Sequence, residues 1–451
     1  MRPIPPKVYR FTVCNFKSIG EPGVDLELKP FTLLFGSQGV GKSNILEVLW
    51  RFAKLLYQTI RGSTSSELTG LARIEPKYRS ERSIFHKEDL NRPLRLGVHV
   101  IVEDGKIGGW IIECRWKYEK NTLETLQEVV LEGKTVLRVG SVAKEQGVRE
   151  NVVLIPENLD KESVYVPFPY EVKPNAFRLE ARSGKTISKE LEERSRLAQQ
   201  IASIVANRLI GRYTVKVAFL SAFRGVVSDE VSTAESVESE GEVYPLKPDG
   251  SNLIHYLSFI RESARYTVFR GFIEKWAEEL GLASLKAGFR GRNTLSADFH
   301  DKILDVSPNL AYASHGSKQA LCVIAQLFSP TQDIILVEEP EISLHPESVA
   351  KLPLMFLDAI RLGKQVIAST HSTILPLALS RMVKKAKEEG LCEDPNELIA
   401  VYEIEKDAEG TKAKRLLLDD RGYIKDYVPS FFKVEEELLK EWEEGLPETP
   451  S

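Results

Sequence analysis

The sequence predicts an α/β fold built on an open, largely parallel sheet with a phosphate-binding loop. Three observations carry this. "FTLLF" (31–35) is continuously apolar, as in a strand buried on both faces, and runs straight into "GSQGVGKSN" (36–44). "NILEVLWRFAKLL" then repeats apolar side chains at helical spacing. Two further buried runs, inside "DIILVEEPE" (333–341) and "QVIAST" (365–370), end in acids and just before His371.

The other elements follow in chain order. "VYRFTVCN" (8–15) and "VDLELK" (24–29) alternate like strands. Residues 61–95 read as polar, partly basic loop. Residues 96–119 read as a hairpin turning at Asp104-Gly105. The stretch to about residue 180 reads as mixed strand and loop, with prolines at 156, 167, 169 and 174. A clear helix is expected over 188–211, with Gly211 just past its end. A strand over 213–223, an acidic loop over 227–242 and a helix over 266–282 come next. The tail reads as a hairpin (398–420) and an acidic final helix.

Composition narrows the class. The 451 residues are 42% hydrophobic and 28% charged, as in a soluble globular chain on the order of two to four domain-sized units. A net charge of -4 does not mark a dedicated nucleic-acid binder, although a local basic patch is compatible with it. No run is long and apolar enough to span a membrane, and the first residues have no signal-peptide core, so a cytoplasmic protein with no membrane partner is expected. Four separated cysteines form no C-x-x-C pair, which argues against a zinc knuckle or redox motif.

Four motifs carry chemistry. In Gly36-Ser37-Gln38-Gly39-Val40-Gly41-Lys42-Ser43-Asn44 the glycines let backbone N–H groups curl around a β-phosphate. Lys42 reaches the β- and γ-oxygens and Ser43 ligates Mg²⁺. The positive end of the following helix adds to this. At the end of the acidic strand, Glu338 would hold Mg²⁺ through water and Glu339 would polarise the attacking water. Ser314-His315-Gly316 opens a helix, a phosphate-binding device when placed beside the other motifs. His371 can hydrogen-bond a γ-phosphate.

The order of these four motifs resembles the ATPase head of the ABC superfamily, in its SMC, RecF and OLD-like branch. "NFKSI" (15–19), "FLSAFRG" (219–225), "PDGSNLIHYL" (248–257), "EEPEISLHP" (338–346) and "ASTHSTIL" (368–375) are similar to segments of that branch. The resemblance implies a P-loop NTPase head of ABC/RecF type with an inserted α+β arm. It also implies ATP and Mg²⁺ as ligands and a homodimer closing on ATP. Ser314 and Gly316 then belong to a signature contacting the nucleotide of the second copy, and Glu339 and His371 are catalytic. DNA or a separate effector protein is the further partner it implies. Gln38 stands where Asn is usual, Glu338 where Asp is usual, the signature lacks a leading Leu-Ser, and no glutamine can be assigned to the lid loop.

The expected division is 1–120 and 301–430 for the two parts of the head, 121–300 for the inserted region and 431–451 for an acidic tail. The insert is too short for an SMC-length arm. The roughly 80 residues after His371, with Asp419-Asp420 on a hairpin, lack the αβ repeat of a nuclease domain. The expected function is an ATPase of DNA repair, DNA maintenance or anti-phage defence. The alternative is a nucleotide-gated scaffold regulating a partner nuclease or toxin. A GTPase is a weaker reading, since no N/T-K-x-D stands at a strand end.

Overall fold

The computed structural model describes residues 8–60, 85–89, 91–101, 107–117, 122–131, 134–143, 149–154, 166–169, 216–225, 227–228, 230–232, 246–425 and 430–444. The helix expected over 188–211 and the basic stretch 72–82 lie outside the described residues, as does the turn at Asp104-Gly105.

The sheet that positions the site has six strands. In chain order they are β3 (Phe31–Phe35), β10 (Val217–Leu220), β14 (Ile334–Glu338), β15 (Gln365–Thr370), β16 (Ile399–Asp407) and β17 (Gly410–Leu416). Their order in space is β10-β14-β15-β3-β16-β17. All neighbours are parallel except the β16–β17 hairpin. β3, β14 and β15 are buried along their whole length, which is why they read as unbroken apolar runs.

Alternation sorts their side chains to two cores. Leu34, Leu336, Ile367 and Tyr402 face Ile45, Leu46 and Leu49 of α1 (Lys42–Ile60). Phe31, Leu33, Phe35, Ile335, Val337 and Val366 face the opposite core. That core is closed by α4 (His315–Leu327), α5 (Leu352–Arg361) and α6 (Ile374–Glu388). The Phe31 and Phe356 rings stack there at 5.0 Å.

A second sheet is antiparallel throughout. It runs β2 (Val24–Glu27), β1 (Arg10–Cys14), β4 (Leu94–Ile101), β5 (Ile107–Lys117), β6 (Thr122–Leu131), β7 (Lys134–Ala143), β8 (Arg149–Leu154), β9 (Val166–Pro169). Ile101 pairs with Ile107, which centres the β4–β5 hairpin where the sequence predicts it. Of the region expected to be mixed strand and loop, the described residues are the strands β6 to β9, each paired antiparallel with the next; 155–165 and 170–180 lie outside the described residues. Pro167 and Pro169 fall on the edge strand β9, where a missing N–H is tolerated.

The expected division at residue 120 cuts the β5–β6 pair, which is bonded from Gly108↔Leu131 to Lys117↔Thr122. Residues 253–300, expected in the inserted region, hold α2 (Leu253–Glu262), α3 (Thr267–Glu279), β12 (Ala283–Phe289) and β13 (Thr294–His300). Ile254, Leu257, Trp276 and Ala297 from these elements enter the core of the six-stranded sheet. Helix α2 begins inside "PDGSNLIHYL" (248–257) and runs on to Glu262. The final helix, α7 (Ser430–Glu444), is present as expected. Asp419 lies past the β17 hairpin, in a turn where its carboxylate accepts from the Arg421 and Tyr423 backbone N–H groups.

Candidate functional site

Parallel pairing brings the carboxyl ends of β14, β15, β3 and β16 to one edge, where ligands bind in open α/β sheets. The glycine loop begins directly after Phe35. Gly36 and Gly41 have φ of 152° and 106°, and a side chain on either would meet other atoms. A Cβ on Gly36 would stand 2.3 Å from the Ile404 carbonyl, and one on Gly41 2.2 Å from Thr411 Oγ1. Ser37, Gln38 and Gly39 are exposed on the crown of the loop, and Ser43 is exposed in the first turn of α1.

Lys42 is buried. Its ammonium donates to the carbonyls of Gly36 (2.9 Å) and Ser37 (2.8 Å) and lies 3.3 Å from His371 Nδ1. Burial lowers its pKa to about 8, against the opposing pull of Glu339 and Glu341. A buried ammonium that lacks an anion, at the mouth of a curled glycine loop, suits a phosphate ligand.

Asn44 does not face the loop mouth. Its amide donates to Ser18 Oγ at 2.7 Å, Ser18 meets Thr411 Oγ1 at 2.7 Å, and Thr411 donates to the Val40 carbonyl at 2.7 Å. This relay braces the loop from beneath, so Asn44 supports its shape through its side chain.

The acids stand on the other side of the loop. Glu338, at the end of β14, is buried and accepts from the Ala222 N–H at 3.2 Å. Glu339 has φ of 44°, a left-handed conformation uncommon outside glycine that marks functional sites. Its N–H donates to the Ser369 carbonyl at 2.8 Å, and its carboxylate Oε1 lies 3.5 Å from His371 Nε2. Burial and then the Lys42 charge hold the His371 pKa below its usual value, so the ring is neutral at pH 7. Nδ1 faces the Lys42 ammonium and Nε2 faces Glu339. Glu339, His371 and Lys42 thus lie together at the loop mouth.

Ser314 and Gly316 open α4 on the same chain. Ser314 Oγ accepts from the Ser317 N–H at 3.1 Å and is exposed. Gly316 is buried, and a Cβ there would stand 2.2 Å from the Ser343 carbonyl. Packing within the chain already requires this glycine.

Two residues escaped the sequence reading. Arg224, two per cent exposed, donates to the carbonyls of Ser221 (2.8 Å), Glu338 (2.7 Å) and Glu339 (2.7 Å), and through Nε to that of Gln319 (3.3 Å). It ties the loop after β10, the acidic strand end and α4 together. Burial lowers its pKa to about 10. Glu341 Oε1 accepts from Thr370 Oγ1 (2.5 Å) and the His371 N–H (3.1 Å), which fixes the backbone that presents His371. Burial pushes its pKa up. The segment "FLSAFRG" was a signal for Arg224, and "EEPE" for Glu341.

Among the described residues no three His, Cys, Asp or Glu side chains converge as a metal cage. No described helix is long and apolar enough to cross a membrane.

Residues 145–378 match the family described as "AAA domain, putative AbiEii toxin, Type IV TA system", just over half of the chain. The chain belongs to this family. The matched span holds β10, α4, β14 and β15 but begins after the glycine loop. Similar solved structures include an SmcHead bound to the C-winged helix domain of ScpA, with 10% identity, 92% of this chain and 98% of that chain covered, and a TM-score of 0.41. The SMC head domain from Thermotoga maritima has 9% identity, 91% and 100% coverage and a TM-score of 0.37. The Smc head with an extended coiled coil, bound to the C-terminal domain of ScpA derived from Pyrococcus furiosus, has 11%, 97%, 100% and 0.39. No curated protein sequence matches this chain.

Two outcomes follow from the geometry. Because Lys42 must be charged to hold an anion, nucleotide affinity measured calorimetrically is expected to fall as pH rises through about 8. Above that value the loss should approach about tenfold per pH unit. Lys42→Ala should bind weakly at every pH and lack this dependence. Arg224→Lys keeps the charge but not the fork that serves four carbonyls, and should lower stability by about 3 kcal/mol in denaturant unfolding.

Proposed function

We propose that the protein binds ATP with Mg²⁺ and hydrolyses it, and that two copies close on two ATP molecules and open after hydrolysis. The observation that carries this reading is the convergence of Lys42, Glu339 and His371 at the loop mouth. Lys42 would leave the Gly36 and Ser37 carbonyls for the β- and γ-oxygens. Ser43 would hold Mg²⁺ directly and Glu338 through water; the ion, when bound, draws negative charge from the phosphates. Glu339 would accept the proton of the attacking water. His371, neutral, would donate to the γ-phosphate and align that water with the bond to be broken. Membership of an AAA family supports hydrolysis as the use of the nucleotide.

Closure of two copies draws support from Ser314, exposed at the start of α4. In this reading Ser314 and the helix end it caps meet the nucleotide of the second copy, with Gly316 keeping α4 seated on Ser343. The work done by closure is DNA repair or maintenance, or defence against phage.

A second reading, a nucleotide-gated scaffold that controls a partner nuclease or toxin, is favoured by α7. This helix exposes Leu438, Leu439 and Trp442, while its Glu435 accepts from Thr373 Oγ1 at 2.5 Å, two residues beyond His371. A partner seated on α7 would thus be coupled to the residue that senses the γ-phosphate. The description of the family, "putative AbiEii toxin, Type IV TA system", supports a separate partner protein for this chain.

Glu339→Gln is expected to lower ATP turnover by about a hundredfold or more and to accumulate an ATP-bound dimer on size-exclusion chromatography with light scattering. Turnover at the native rate would remove Glu339 from catalysis. Strong stimulation of the native ATPase by duplex DNA would favour the DNA machine. Its absence, with a co-purifying protein, would favour the scaffold.

A further inference from the structure

A cavity of about 340 Å³ opens on the β16 side of the glycine loop, lined by Gly36, Ser37 and Val40 of the loop and by 403–407 and Lys412 of the β16–β17 hairpin. Glu403 lies in it. Glu403 is three per cent exposed, and its Oε2 has no hydrogen-bond partner among the described residues. The register Glu403↔Phe35 sets it beside the residue that opens the loop. Asp407, at the rim, is already engaged by Lys412 at 2.5 Å and by the Glu409 N–H at 2.8 Å. A buried carboxylate oxygen without a donor is costly, and native proteins place such a group where a ligand completes it.

The direction of the bound nucleotide says which ligand group arrives there. Glu339 and His371 stand at the ends of β14 and β15, on one side of β3, and mark the γ-phosphate end. β16 lies on the other side of β3. A triphosphate held by the loop with its γ end at these residues leaves toward β16, and the group carried on its α-phosphate is the sugar. We infer that the cavity is a ribose subsite and that Glu403 reads the sugar by accepting from its 2′- and 3′-hydroxyls. Two donors on adjacent carbons match the two oxygens of one carboxylate, and hydroxyls satisfy it without bringing a second charge into the site. The site therefore selects ribonucleotides over deoxyribonucleotides. This rests on the proposal that the loop binds a nucleotide in the orientation given above.

The test is calorimetric titration of the full-length chain with ADP, 2′-deoxyADP and GDP in the presence of Mg²⁺. The native protein is expected to prefer ADP over 2′-deoxyADP by about tenfold or more, the worth of one hydrogen bond to a charged group. Glu403→Gln, with melting followed by circular dichroism, should lose most of that preference, its affinity falling further for ADP than for 2′-deoxyADP, which keeps only the 3′-hydroxyl. Equal binding of ADP and 2′-deoxyADP by the native protein would overturn the sugar assignment and leave the ATPase proposal standing. A Glu403-dependent choice between ADP and GDP, with no choice between the sugars, would overturn it in favour of base recognition. Failure of all three nucleotides to bind would overturn both readings at once.

Discussion

The site depends on the parallel pairing of β14, β15, β3 and β16. The registers Glu338↔Ser369, Thr370↔Phe35 and Phe35↔Glu403 bring the ends of β14, β15 and β3 to nearly one level, beside Glu403 of β16, which runs on to Asp407. With neighbouring strands roughly 4.8 Å apart, the residues that follow them fall within reach of a single polyphosphate. This pairing sets Lys42 beside Glu339 and His371, which follow it by roughly 300 residues in sequence.

Charge without a matching counter-charge recurs along that edge. Lys42 is held by backbone carbonyls, and Arg224 spends its donors on four more. Glu341 turns one oxygen to Thr370 and His371, while Oε2 has no partner among the described residues. Burying such groups is expensive, so their presence argues for positioning over stability. Through its hydrogen bonds Arg224 ties together the end of the acidic strand, the loop after β10 and helix α4.

Much of the six-stranded sheet was legible in the sequence because strands buried on both faces must be apolar throughout. That made β3, β14 and β15 visible, and the residues directly after them became the candidates for chemistry. Strand order is not written in periodicity, so the seat of β16 against β3, and with it the closeness of Glu403 to the loop, was hidden. Arg224 was hidden for a related reason, because its partners are backbone carbonyls that any sequence supplies. The β6–β9 strands were obscured by charged residues and by prolines that only an edge strand accepts. Asn44 was placed on the phosphate by motif alone, whereas its side chain braces Ser18 below the loop. Gly316 carries an intrachain packing demand that no spacing rule announces.

The central claim is that one polyphosphate bridges the loop and the ends of β14 and β15. A crystal structure with Mg²⁺ and a non-hydrolysable ATP analogue tests it most directly. The account predicts Lys42 Nζ displaced from the Gly36 and Ser37 carbonyls onto the β- and γ-oxygens. It also predicts Mg²⁺ on Ser43, and the γ-phosphate between Glu339 and His371. A nucleotide bound elsewhere, or one whose γ-phosphate points away from β14 and β15 while Lys42 keeps its backbone partners, would contradict it.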